Sequence, residues 1–218
     1  MKHNVLFYKG YGKIGNMVGY SIYGKQAFRA YNPVVANPKS ADQQLQRAKI
    51  ALLTKLLQVF KPAIKMGFKD EARARGCSAV NFFTHKNYPN VTGTAPDNTT
   101  IDPSKIEVAQ GAIPNVVFGS TINVSTPNQV LVSVTDINAG VAGASASDSI
   151  YVFVYCPDMG MGILSAAAGR TVGAALTVRV PESWSGLEVH VYGWVISGDE
   201  DTLGQSSNSE YIGHAELA

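Results

Sequence analysis

The pattern of hydrophobic and polar positions changes twice along the chain. In residues 5–35 aromatic and aliphatic residues alternate with glycine and polar ones, as in Val5-Leu6-Phe7-Tyr8, Met17-Val18-Gly19-Tyr20 and Ile22-Tyr23-Gly24. Gly10, Gly12, Gly15, Gly19 and Gly24 would each cost about 1 kcal/mol inside a helix, so this stretch reads as extended strands or an extended arm. Pro33 and Pro38 close it. Ser40 with Gln43 predicts a capping box, and Leu45, Ala48, Leu52, Leu56, Val59 and Phe60 recur at three- and four-residue intervals. They predict one amphipathic helix over residues 41–60, with Pro62 kinking or restarting it and Gly67 or Gly76 ending the restarted stretch.

Residues 77–106 are dominated by Asn, Thr, Pro and Gly and read as a long connection with a single short strand. Beyond 107, β-like runs at 116–124, 129–135, 149–156, 174–180, 188–197 and near Tyr211 are separated by turn residues. Run 149–156 is apolar on both faces, as a central strand would be. The fold class expected is mainly β, an antiparallel β-sandwich of immunoglobulin or fibronectin type. Its parts are a basic extended arm at 1–40, an amphipathic helical segment at 41–76, the connection at 77–106 and the sandwich at 107–218.

Composition narrows the class. The chain has 218 residues, 45% hydrophobic and 16% charged, which suits one soluble, loop-rich domain with an extra arm. No apolar run approaches a membrane span, and the first residues lack the long apolar core and cleavage site of a secretory signal. Synthesis in the cytoplasm without a signal peptide is expected, compatible with release as part of a virion. Cys77 and Cys156 are too few for a disulfide framework. The net charge of +2 hides an asymmetry: residues 1–75 sum to +11 and residues 76–218 to −9. A basic segment of this kind can grip nucleic acid or lie against an acidic surface of its own or a neighbouring chain.

Few residues suggest chemistry. Gly10-Tyr11-Gly12-Lys13-Ile14-Gly15 spells a dinucleotide fingerprint, but Gly19 and Gly24 stand where its helix should run and no acid precedes Asp42. His3, His85, His190 and His214 show no metal-ligand spacing, and Cys77 with His85 lacks a third orienting group. No catalytic, metal or cofactor site is expected. Asp199, Glu200 and Asp201 read as a hairpin tip, and Asn90, Asn98 and Asn123 begin sequons that read as turn composition. Trp194 reads as packed, whereas Trp184, in a connection, is a candidate loop contact together with the three acids. Lys9, Lys13, Lys25 and Arg29 interleave with Tyr11, Tyr20, Tyr23 and Tyr31, so cations and stacking faces share one segment. These eight are the candidate assembly contacts.

Gly15-Asn16, Gly24-Lys25-Gln26 with Arg29, Asn37-Pro38, and Gln43, Gln44 and Arg47 resemble the start of an uncharacterised Bacteroidota family, domain-of-unknown-function family 6266. Val180-Pro181 with Trp184 and Gly186, Val189 to Tyr192, Ser207-Asn208-Ser209 and Tyr211-Ile212-Gly213 resemble its closing strands. The resemblance implies a β-sandwich behind an N-terminal segment and no established activity.

A scaffold with a charged Tyr-rich arm and no catalytic constellation leads to the expectation of a non-enzymatic structural subunit. A bacteriophage virion or virion-like particle is the expected setting, with copies of itself and other structural proteins of the particle as partners and no membrane. Two alternatives stay open. One is a binding or adhesive module for carbohydrate or protein through loops 157–163 and 198–208, and the other is nucleic-acid binding through residues 2–75.

Overall fold

The structure is a computed structural model that describes residues 11–22, 25–34, 39–165, 167–171, 175–200 and 202–218, with only the backbone of Ser120 described. The chain divides into two compact units, 1–40 and 41–218.

In the first unit, β1 (Gly12–Ile14), β2 (Met17–Ile22) and β3 (Lys25–Ala30) form an antiparallel meander in the order β1-β2-β3. The stretch expected as extended strands or an arm is thus a self-paired sheet over its described residues. Gly15, at φ +57°, takes the left-handed conformation that the tight β1–β2 turn requires.

The second unit opens with α1 (Ala41–Gly67), α2 (Lys69–Ala74) and α3 (Ala79–Asn87). Helix α1 starts directly after Ser40 but runs seven residues past the expected end, with Pro62 inside it. A proline in a helix interior costs about 3 kcal/mol. Burial of Ala63, Ile64 and Gly67 beyond it offsets that cost and carries the helix on. At its end the Gly67 carbonyl accepts from Gln110 N at 3.0 Å and Ser206 Oγ at 2.6 Å. Helix α3 lies where a connection was expected. The Ser78 hydroxyl accepts from Asn81 N at its start, and Phe82 and Phe83 are buried, so tertiary packing overrides a polar composition.

Two-residue strands β4 (Val91–Thr92) and β5 (Thr100–Ile101) pair in the segment after α3. Then come β6 (Val117–Asn123), β7 (Gln129–Asp136), β8 (Ser149–Cys156), β9 (Met161–Leu164), β10 (Ala168–Gly169), β11 (Ala175–Arg179), β12 (Glu188–Ile196) and β13 (Glu210–Glu216). Strand β9 occupies part of the stretch expected as loop 157–163, paired to β8 from Phe153↔Leu164 to Cys156↔Met161. One sheet has the order β10-β8-β12-β13 with β9 on the β8 edge, the other β11-β7-β6, and every pairing within them is antiparallel. The chain is therefore mainly β, in several antiparallel sheets, with one long helix.

The larger sheet is covered on both sides. Val152, Val154, Val189, Val191 and Val195 face the smaller sheet and meet Val130, Val132, Val134, Leu176 and Val178. Phe153, Tyr155, Tyr192 and Trp194 alternate with them and face Leu53, Leu56, Phe60, Ile64, Phe68 and Phe83. In β8 and β12 the two-residue period thus separates branched aliphatic from aromatic side chains, not apolar from polar. Phe60 sits in the aromatic layer, with ring centroids 4.9 Å from Phe153, 4.9 Å from Tyr155 and 5.6 Å from Tyr192.

Candidate functional site

Strand register sorts the residues of the meander. Lys13↔Val18↔Arg29, Tyr20↔Ala27 and Ile22↔Lys25 are direct partners, and partners share a face. With Tyr31 under the Lys13 ammonium, the assembly candidates Lys13, Tyr20, Lys25, Arg29 and Tyr31 lie on one side of the sheet, and Tyr11 is exposed just before β1. The Lys13 ammonium stands 3.8 Å above the Tyr31 ring centroid, a cation–π contact that ties the two outer strands together. The opposite side presents Ile14, Met17 and Phe28, each at least 40% exposed. Gly19 is the one buried residue among the described residues of this unit. Lys9 and Tyr23 lie outside the described residues.

The loop candidates separate. Trp184 is not a loop contact. Its side chain is 0% exposed in the core between the sheets, held by a 3-10 turn at Glu182–Trp184. A large apolar ring in a connection is drawn under the sheets by its own burial. Asp199 and Glu200 are exposed in the turn after β12, and Asp201 lies outside the described residues. Glu200 lines a cleft of about 420 Å³ with Asp70, Glu71, Gln110, Thr202 and Gln205. Two acceptors of that wall, Asp70 Oδ2 and Gln110 Oε1, are buried without a hydrogen-bond partner.

One cluster escaped the sequence. His190 and His214, 24 residues apart, are direct partners in the β12–β13 ladder, with ring centroids 6.0 Å apart. A bulge between Val191 and Tyr192 places Tyr211 opposite Tyr192, leaving Ile212 against the core between the sheets. The shift brings Tyr211 onto the histidine side of the sheet, a re-aiming that bulges commonly perform. Its hydroxyl is 2.9 Å from His190 Nδ1 and 3.5 Å from His214 Nδ1. Glu188 Oε1 lies 4.0 Å from His190 Nε2 and 3.9 Å from His214 Nε2. Burial holds the His190 imidazole below the ordinary histidine range, opposed by the Glu188 carboxylate. Burial also pushes the Tyr192 and Tyr211 phenols up. The Tyr192 hydroxyl donates to Pro103 O at 2.8 Å. Spacing alone could not find this cluster, because the histidines meet only through strand pairing and Tyr211 joins them only through the bulge.

Among the described residues no group of three or more His, Cys, Asp or Glu side chains is placed to hold a metal ion, and Cys77 and Cys156 are unbridged. No helix among them is long and apolar enough to cross a membrane.

No curated protein and no solved structure matches the chain. A family model described as a family of unknown function, DUF6266, matches residues 9–213, which takes in the meander, the helices and nearly all of the two-sheet body. The chain belongs to that family.

Proposed function

We propose that this chain is a non-enzymatic structural subunit of a self-assembling particle, of the kind a bacteriophage virion uses, and that its N-terminal meander is the contact surface. The observation that carries this reading is the gathering of Lys13, Tyr20, Lys25, Arg29 and Tyr31 on one face of a sheet with almost nothing buried. A three-stranded sheet depends for its stability on burying a hydrophobic face. Residues 1–40 carry six lysines and arginines and no acid, whereas residues 76–218 sum to −9. The occupant that matches is the acidic body of a second copy, and a head-to-tail contact of this type propagates into rings or filaments. Tyrosine suits such a contact because it covers area at low entropic cost.

The scaffold reading is an immunoglobulin-type sandwich. Taking β6, β7, β8, β9, β11, β12 and β13 as strands A, B, C, C′, E, F and G, the sheet orders E-B-A and C′-C-F-G support it.

A second reading, a binding module, draws on the cleft beside Glu200, whose orphaned acceptors suit a donor-rich ligand. Light scattering on the full chain from low to high salt, with 260 and 280 nm absorbance on the same peak, separates the readings. A particle far larger than 23.2 kDa that dissociates in salt supports the structural subunit. A salt-independent monomer favours the binding module, and excess 260 nm absorbance favours nucleic acid. Removing residues 1–31 should leave a folded body and abolish assembly; unfolding of the whole chain would overturn the contact model.

A further inference from the structure

We propose that the outward face of α1 binds the phosphate backbone of a nucleic-acid duplex without reading its sequence. Residues 43–69 carry six lysines and arginines and no acid. Five of the six, Arg47, Lys55, Lys61, Lys65 and Lys69, are exposed, on the side of the helix away from the buried Leu53, Leu56, Phe60 and Ile64. The sixth, Lys49, is drawn aside over the Tyr88 ring at 5.8 Å. Lys69 opens α2, and bonds from Phe68 N to Ile64 O and from Ala72 N to Phe68 O carry the helical path across the break. From Arg47 to Lys69 the row is about 33 Å long at a rise of about 1.5 Å per residue.

Such a row is unfavourable for the chain alone. Lys61 with Lys65, and Lys65 with Lys69, are like charges four residues apart, a spacing that destabilises a helix. Among the described residues Lys55, Lys61, Lys65 and Lys69 form no ion pair. Anions laid along this face turn the repulsion into attraction, and neutralised phosphates release their condensed counterions.

The residues around the cations select the partner. Ala51, Gln58 and Pro62 stand among them and are exposed. Ile50, the only large apolar side chain exposed on α1, lies with Val80 and Tyr88 along a groove beside α3. Surfaces that dock proteins concentrate aromatic residues and shed lysine, and helices that lie on membranes present a broad apolar face. This face does neither.

Phosphate contacts draw on lysine, arginine and glutamine, which is the composition found here. Single strands are held largely by aromatic rings that stack on bases, and Phe60, the one aromatic residue of α1, is buried. The phosphates of a duplex are therefore what the face fits. It belongs to the second unit of the chain, so the proposal stands apart from the meander contact.

The test is fluorescence anisotropy of a labelled DNA duplex of about 30 base pairs, titrated with the full chain at salt from about 50 to about 200 mM. Binding is expected at the low end, equal for two unrelated sequences, with log K falling against log salt at a slope of about −4. Lys55→Gln, Lys61→Gln and Lys65→Gln combined should weaken it at least about tenfold and flatten the slope by about 3, since each lost phosphate contact removes about 1. Glutamine is a good helix former, and circular dichroism confirms the fold of the variant. Lys13→Gln with Lys25→Gln, on the meander, should leave the slope unchanged. The proposal is overturned if about 100 μM chain does not bind at about 50 mM salt, since sequence-independent contacts are tighter than that. It is equally overturned if the triple variant binds as the parent does, or if the meander variant flattens the slope to the same extent. Loss of self-association by the triple variant with duplex binding intact would give the face to the acidic body of a second copy and overturn it too.

Discussion

Arg170 and Asp148 form an ion pair of 2.8 Å with side chains only 2% and 0% exposed. The Arg170 Nε–H also donates to Ile137 O at 2.8 Å, and Asp148 accepts from the backbone N–H groups of Ser145 and Gly198. The pair therefore ties together the segments after β7, before β8, after β10 and after β12. Removing one partner strands a buried charge, so Arg170→Met should lose about 3–5 kcal/mol in urea unfolding. Replacing Asp148 with Leu in the same chain should restore much of that loss; no recovery would mean that the backbone contacts dominate.

Phe60 is the point at which the helices grip the larger sheet. Phe60→Ala should cost about 3–5 kcal/mol, because a cavity among Phe153, Tyr155 and Tyr192 cannot collapse in a sheet packed on its other face. A fall in the urea midpoint with an unchanged slope is the expected signature. A loss under about 1 kcal/mol would show that the aromatic layer repacks.

Tyrosine ionisation sets an alkaline limit. Burial raises the Tyr192 phenol pKa above its unfolded value of 10.0, so the unfolded chain releases this proton first. The stabilisation is fully present below pH 10 and is lost as pH rises further, by up to about 1.4 kcal/mol per pH unit. Melting temperatures measured from pH 9 to 11.5 should fall steeply in the parent chain and less steeply in Tyr192→Phe. At neutral pH that variant should lose about 1 kcal/mol with its bond to Pro103 O. Parallel alkaline slopes would assign the decline to other groups.

Charge on the meander should tune association. Lys13→Glu with Lys25→Glu reverses two cations on the candidate face and should weaken self-association, more so at low salt. Sedimentation that is identical for both chains at every salt concentration would assign docking to the apolar side with Ile14, Met17 and Phe28.

How much of the fold is legible in the sequence depends on how local each signal is. Strand β8 is readable to the residue, because the apolar run from Ile150 to Cys156, opened by Ser149 and bounded by turns, needs no partner to identify it. Helix α3 is not, since Asn81, Thr84 and Asn87 argue for a loop and only the burial of Phe82 and Phe83 reverses them. The cationic and aromatic residues of the meander can be named from sequence, but their common face depends on β2–β3 register. His190, His214 and Tyr211 remain apart because a bulge is a feature of two paired strands, and one strand's text does not contain it.

The alternation of valine with aromatic residues in β8 has a consequence for how the chain can vary. A strand such as β11 has a tolerant side, since Ala175, Thr177 and Arg179 face water between Leu176 and Val178. Ile150 and the run from Val152 to Cys156 have none, because each residue is enclosed by either the smaller sheet or the helices. Substitutions that leave the fold intact must therefore collect at the sheet margins, in the turns and on the meander, while the enclosed positions of β8 accept only changes that preserve both size and apolarity.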